Sequence, residues 1–309
     1  MDYVVLTGLL AAAVRLAMSI GIAAMGEAIS QRAGVLNVGV EGIMLLGAFL
    51  GAFGAVTTGN PWAGIALAAA GGAAAGALHG FFAVKLKVDQ IVSGIALIIL
   101  CLGLSSFLYR LTLGRTPQSV PALRGLHLGV LTDLPIVGPV LFGQNALVYW
   151  GVAMAIFLAW ALRRTVIGLN IRACGENPAG ADAAGIQVDR YRFFCVVFGG
   201  TLAGVGGAYL SVAQINSFVE NMVVGRGFIA IACVVFGRWN PLGALAAAFG
   251  FGLAEAAQIR LQTWYPEVPY QFFVVLPYLL AIVALSLFFA RGAALPRGLA
   301  KPYFSDRDA

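Results

Sequence analysis

Residues 91–112 read IVSGIALIILCLGLSSFLYRLT, an apolar run whose single charged residue, Arg110, falls close to its end. A helix needs about 20 such residues to cross a bilayer. A membrane β-strand needs about half that length and alternates apolar with polar. This run does not alternate, so it predicts a spanning helix. Similar runs near 4–26, 38–57, 61–84, 146–164, 191–214, 225–237, 241–260 and 270–290 bring the expected number to about nine, within eight to ten. The run at 225–237 is short for a span and reads as re-entrant or paired with its neighbour. The fold class expected is an all-α polytopic transmembrane bundle, with 1–309 as one membrane domain.

Composition agrees. Of 309 residues, 61% are hydrophobic and 10% charged, and the mean hydropathy is +0.91. A soluble chain would carry roughly 25% charged residues, so lipid must be the solvent for much of this exterior. The net charge of +6 does not indicate a nucleic-acid partner, because the basic residues sit in short clusters between apolar runs. Cys101, Cys174, Cys195 and Cys233 show no CxxC spacing and read as small core residues, with no metal implied. The N-terminal residues predict no cleavable signal peptide, since Asp2 stands where a basic region is needed.

The basic clusters also orient the chain. Arg32, Lys85 with Lys87, Arg163 to Arg192, Arg238 and the basic residues from Arg291 onward fall in alternate loops. The positive-inside rule makes those loops cytoplasmic, the N-terminus external and the C-terminus cytoplasmic. The stretch 113–145, with Pro117, Pro121, Pro135 and Pro139, is then an external structured loop.

Glycines recur at four-residue steps: Gly72, Gly76 and Gly80; Gly47 and Gly51; Gly200 and Gly204. Small residues at that spacing let helices approach closely in lipid. The segments GGAAAGALHG (71–80) and GGTLAGVGGA (199–208) resemble each other and lie on helices of opposite expected direction, as in an inverted repeat.

Three segments carry more specific information. In QRAGVLNVGVEGIMLLG (31–47), polar residues interrupt apolar sequence. Glu41 there either faces a pathway or caps the helix that it begins. In the 165–190 loop, Asn177 suits an N-cap, Pro178 the first helical position and Gly185 the left-handed stop. A short helix at 178–184 follows, too short to stand alone. In 225–243, Arg238, Trp239 and Asn240-Pro241 form an interfacial turn.

These segments together resemble the membrane permease subunits of ABC importers for branched-chain amino acids, simple sugars and nucleosides. GVLNVGVEGIMLLGA (34–48), GLNIRACGENPAGADAAGI (168–186) and FGRWNPLGA (236–244) carry the resemblance, which extends over roughly residues 5–290. It implies an ABC importer permease fold, with the 178–184 helix as a coupling helix seated on an ATPase. The coupling residues implied are Gly168, Arg172, Gly175, Glu176, Asn177, Ala181, Asp182 and Gly185. The partners implied are ATP-binding subunits, a second permease (identical or homologous) and an extracytoplasmic binding protein or lipoprotein, in a bacterial inner membrane. The sugar branch usually has an Asp/Ser-containing version of 34–42. Asn37-Val38-Gly39-Val40-Glu41 stands here, which tilts the expected solute toward nucleosides.

No G-x-x-x-x-G-K-[ST] loop occurs, since none of Lys85, Lys87 and Lys301 follows a glycine. ATP and Mg therefore belong on a partner, and this chain is expected to hold no cofactor, metal or catalytic residue. Candidate pathway residues are Asn37, Glu41, Gln90, Ser93 and Asn216, polar groups beside or within apolar spans. An ion-coupled secondary transporter is the rival, with Arg15, Glu27, Glu41, His79 and Glu255 as its titratable groups. An intramembrane hydrolase built on His79 and Ser93 is a weaker one, because the two fall on different expected helices.

Overall fold

The computed structural model describes residues 2–114, 119–126, 129, 137–265, 267–269, 271–273, 275, 279 and 295–304. Among them are ten α-helices and no strand beyond one isolated bridge between Gly125 and Asn145. The helices are α1 (Asp2–Arg32), α2 (Val40–Thr58), α3 (Pro61–Gly80), α4 (Gln90–Thr112), α5 (Ala146–Arg164), α6 (Val166–Glu176), α7 (Pro178–Ala183), α8 (Val188–Tyr209), α9 (Arg226–Phe236) and α10 (Pro241–Trp264). Seven are long and apolar enough to cross a membrane. They coincide with seven of the nine expected spans. The eighth expectation is α9, whose 11 residues reach only about 16 Å. The ninth, 270–290, lies largely outside the described residues.

Local chemistry starts these helices sharply. Asn60-Pro61, Asn177-Pro178 and Asn240-Pro241 open α3, α7 and α10, with each asparagine oxygen accepting a backbone N–H of the first turn. Asp89 does the same for α4, accepting from Ile91 and Val92. Proline at the first helical position costs nothing there, because its missing N–H has no intrahelical partner.

The expected glycine steps all converge on α8. A Cβ at Gly72 or Gly76 of α3 would strike the backbone of Gly200, Gly204 and Val196, and one at Gly47 of α2 would strike Gly204. Residue numbers rise on α3 as they fall on α8, so these two run antiparallel, whereas α2 and α8 run parallel. The two look-alike segments thus pack face to face. α1 crosses the other side of α8, where Gly26 meets Gly199 and the Ser19 hydroxyl donates to the Gly206 carbonyl. With no hydrophobic drive between helices in lipid, close van der Waals contact of this kind holds the bundle. α10 packs antiparallel on α1, and α4 parallel on α2.

The described part of 113–145 covers one end of the bundle. There Val120 and Leu123 donate to the carbonyls of Asn216 and Val212. The other end holds the close of α1, α3 and α5, the starts of α4, α8 and α10, and α6 with α7. It is termed the α7 end below.

Candidate functional site

At the α7 end, the chain leaves α5 and folds into two consecutive short helices. Thr165 caps α6 by accepting from Gly168 N–H, and its own hydroxyl donates back to Ala161. This helix occupies 166–176, expected as loop; the threonine ahead of an apolar-periodic segment is its signal in the sequence. Asn177 closes α6 and opens α7, its Oδ1 3.0 Å from Gly180 N. α7 ends in a Schellman turn. Gly185, at φ +86°, donates to Asp182 and Ile186 donates to Ala181.

The eight expected coupling residues divide by direction. Glu176, Asn177 and Gly185 are exposed at the surface of the helix pair, and Glu176 lies 3.7 Å from Arg32. Gly168, Gly175 and Ala181 turn inward. Gly168 presses on the backbone of Ala161 and Leu162, Gly175 on that of Arg32 and Gly34, and Ala181 packs with Cys174 and Val188. Arg172 and Asp182 are half-buried; Asp182 accepts from the Tyr303 hydroxyl at 2.9 Å. Burial pushes the Cys174 thiol up to about 11, so it is an inert packing group despite nearby Arg192.

Residues 295–304 lie along this helix pair. Gly298 N–H donates to Gly175, Ala300 N–H to Gly34, and Lys87 stands over the Phe304 ring. Gly298 sits beside Pro178 at the start of α7 and Tyr303 meets Asp182 near its end, so the strap runs along α7. Its clasp is Arg192. This buried guanidinium donates to four backbone carbonyls, those of Ala33, Cys174, Gly298 and Lys301. In the sequence Arg192 reads as one of the cytoplasmic basic residues, and its four-way bonding is visible only in the structure. Arginine's planar fork of donors suits such a four-way joint, which a lysine could not reproduce.

The pathway candidates scatter. Asn37 is fully buried in the α1–α2 connection; its backbone N–H donates to Glu27, while both side-chain polar atoms lack a partner. Gln90 Oε1 accepts from Leu36 N–H. Ser93 and His79, though on different helices, do meet, with Oγ 3.2 Å from Nδ1. The other ring nitrogen lies 3.3 Å from the Leu36 carbonyl, which can only accept, so Nε2 carries the proton. That histidine fastens the 33–39 connection, and among the described residues no carboxylate bonds to its ring. Asn216 lies at the opposite end, exposed and at φ +55°.

Glu41 lies where the sequence places it, at the start of its helix, but its hydrogen bonds reach further. It stands in the first turn of α2, yet its two oxygens accept the N–H groups of Gly225 and Gly227, each at 2.7 Å. It therefore caps α9, a helix 184 residues away. Gly227 is required there, because a Cβ would meet the Glu41 backbone. The other end of α9 is also tied to α1. Arg32 donates to the Arg238 and Trp239 carbonyls, and Trp239 Nε1 donates to Gln31, which in turn donates to Glu27. Arg226 and Glu255 form an ion pair across to α10.

Residues 9–290 match the family described as "Branched-chain amino acid transport system / permease component". The chain belongs to that family. Among similar proteins, the putative glucose ABC transporter permease TsgC13 of Haloferax volcanii is 41% identical over 83% of this chain and 78% of its own. The guanosine ABC transporter permease NupQ of Bacillus subtilis is 34% identical over 93% of both chains. The nucleoside ABC transporter permease NupC of Lactococcus lactis is 35% identical over 87% of this chain and 88% of its own. No solved structure matches the chain. This permease is thus a multi-pass membrane protein and a transport component rather than an enzyme. The His79–Ser93 pair is accordingly a packing contact within it.

Proposed function

We propose that this permease forms half of the conduit of a binding-protein-dependent importer for nucleosides, driven by separate ATP-binding subunits that hold the ATP and Mg. The observation that carries the energy-coupling part is the capped α6–α7 pair at one end of the bundle. It is a short helix built by local caps and held by a strap, with Glu176, Asn177 and Gly185 exposed on its outer side. By this reading the α7 end is cytoplasmic, Glu176, Asn177, Asp182 and Gly185 meet the ATPase, and the N-terminus is external. Gly168, Gly175 and Ala181 serve the same surface from behind, by packing. A second permease, identical or homologous, completes the conduit, and a binding protein or lipoprotein delivers the solute to the far end.

Nucleosides are favoured by the nucleoside and guanosine relatives, which match this chain over most of its length. A sugar is the second reading, favoured by the glucose relative of higher identity. Asn37, with its orphaned buried amide, is the strongest remaining pathway candidate, since buried polar groups without partners await a ligand or water.

The test is reconstitution of the permease with its ATP-binding subunits and binding protein in vesicles. ATP-dependent uptake of guanosine or inosine, with glucose as the competing solute, is the expected result. Glucose uptake alone would replace the solute, and uptake driven by an ion gradient without ATPase would sink the whole reading. Labelling of an Ala179→Cys variant from the cytoplasmic side only is expected; Ala179 is exposed on α7, and all four native cysteines are buried.

A further inference from the structure

At the α7 end, four arginines from four segments line one cavity of about 360 Å³. Arg32 closes α1, Arg163 lies near the end of α5, Arg172 lies on α6 and Arg238 sits in the α9–α10 turn. Among the described residues, one carboxylate pairs with any of them: Glu176, with Arg32. Four cations less one anion leave three positive charges facing a common space. Arg32 also donates to the Arg238 and Trp239 carbonyls, and Arg172 Nε lies 3.4 Å from the Gly168 carbonyl. Carbonyls orient these groups without cancelling their charge. Arg163 and Arg238 are exposed at the rim.

Charges of one sign gathered from separate segments repel, and an anion seated between them reverses the sign of that interaction. Guanidinium forks match phosphate oxygens two N–H groups at a time. Depth narrows the source of the phosphate. α1 and α5 end at this cavity and α10 begins beside it, and all three are long and apolar enough to span. The cavity therefore lies where hydrocarbon gives way to headgroups. We propose that it binds the phosphodiester headgroup of an anionic phospholipid. Such a lipid would tie α1, α5, α6 and the α9–α10 turn together, bracing the base of the α6–α7 pair. The site does not depend on which solute is carried.

A generally basic surface attracts anionic lipid too, and Arg164 separates the two cases. It is exposed beside Arg163 but does not line the cavity. The experiment is native mass spectrometry of the permease with its ATP-binding subunits, equilibrated with phosphatidylglycerol, phosphatidylcholine or inorganic phosphate. Retention of phosphatidylglycerol is expected to exceed that of phosphatidylcholine by about tenfold. That preference falls at least about fivefold in R163Q/R238Q and is unchanged in R164Q. R163Q and R238Q alone, each at an exposed side chain, give intermediate values and guard against misfolding of the double variant. Equal loss in R164Q, or no loss in R163Q/R238Q, overturns the proposal in favour of diffuse charge. Displacement of the lipid by millimolar inorganic phosphate assigns the cavity to a free anion instead. Release of the ATP-binding subunits from R163Q/R238Q with lipid retention unchanged assigns it to a subunit contact.

Discussion

Helices α7 and α9 are both too short to stand alone, and they are held in opposite ways. α7 is bounded by its own sequence, with Asn177 and Pro178 at one end and Gly185 at the other. α9 begins at a left-handed glycine with no local side-chain cap, and its N-terminus rests on Glu41 from α2. A helix with local caps can be displaced as a unit without losing its ends. A helix capped from another span moves only with that span, so α9 and α2 form one mechanical piece. The contrast separates a helix closed by its own residues from a helix built into the bundle.

The largest expected effect breaks the α9 side of this comparison. Glu41→Ala leaves two half-buried N–H groups without an acceptor, which lowers stability by roughly 2–4 kcal/mol. A thermal melt in detergent should show it, and Glu41→Gln, which keeps one acceptor, should fall between. A melt unchanged in Glu41→Ala would mean that α9 is held by its C-terminal ties to Arg32 and Gln31 alone.

The α7 side should give a smaller change in stability and a larger one in coupling. Gly185→Val forces a β-branched residue into φ +86°, at about 1–2 kcal/mol, in otherwise open space. Uptake driven by ATP is expected to fall while the melting temperature of the bundle stays. Asn177→Ala removes one cap, worth about 1 kcal/mol, with the same pattern in weaker form. If either variant melts the bundle as Glu41→Ala does, α7 is not an independent unit.

The smallest effect concerns the far end of the segment that leads into α9. Two hydrogen bonds from Arg110 hold the Glu220 carboxyl below its ordinary range. A depressed carboxylate stabilises the fold above its unfolded value, near about 4.3, and that contribution fades as pH falls through the folded value. The pair is exposed, so salt screens it. Melts of Glu220→Gln and the parent should therefore differ slightly at neutral pH, and converge once the medium is acidic enough to protonate Glu220.

The sequence made α7 legible because every residue that defines it lies within nine positions. The spans were legible for the same reason, since length and apolarity are local properties. Glycine spacing announced close helix contacts but not their address, because spacing does not say that Gly47, Gly72 and Gly76 all meet α8. The long-range bonds of Glu41 and Arg192 are not legible in the sequence, for one physical cause. A carboxylate at a helix start and an arginine beside a span each have a common local explanation. Their actual partners come from segments tens to nearly two hundred residues away, which no local pattern encodes.

Arg192 has a consequence in time rather than in space. Two of its four acceptors, the carbonyls of Ala33 and Cys174, are made before Arg192 itself, while those of Gly298 and Lys301 follow it by 106 and 109 residues. The spans can enter the membrane in order as they emerge, but the clasp behind α7 closes only after the ribosome has passed residue 301. A chain stopped before residue 298 would carry the clasp with two of its four acceptors missing.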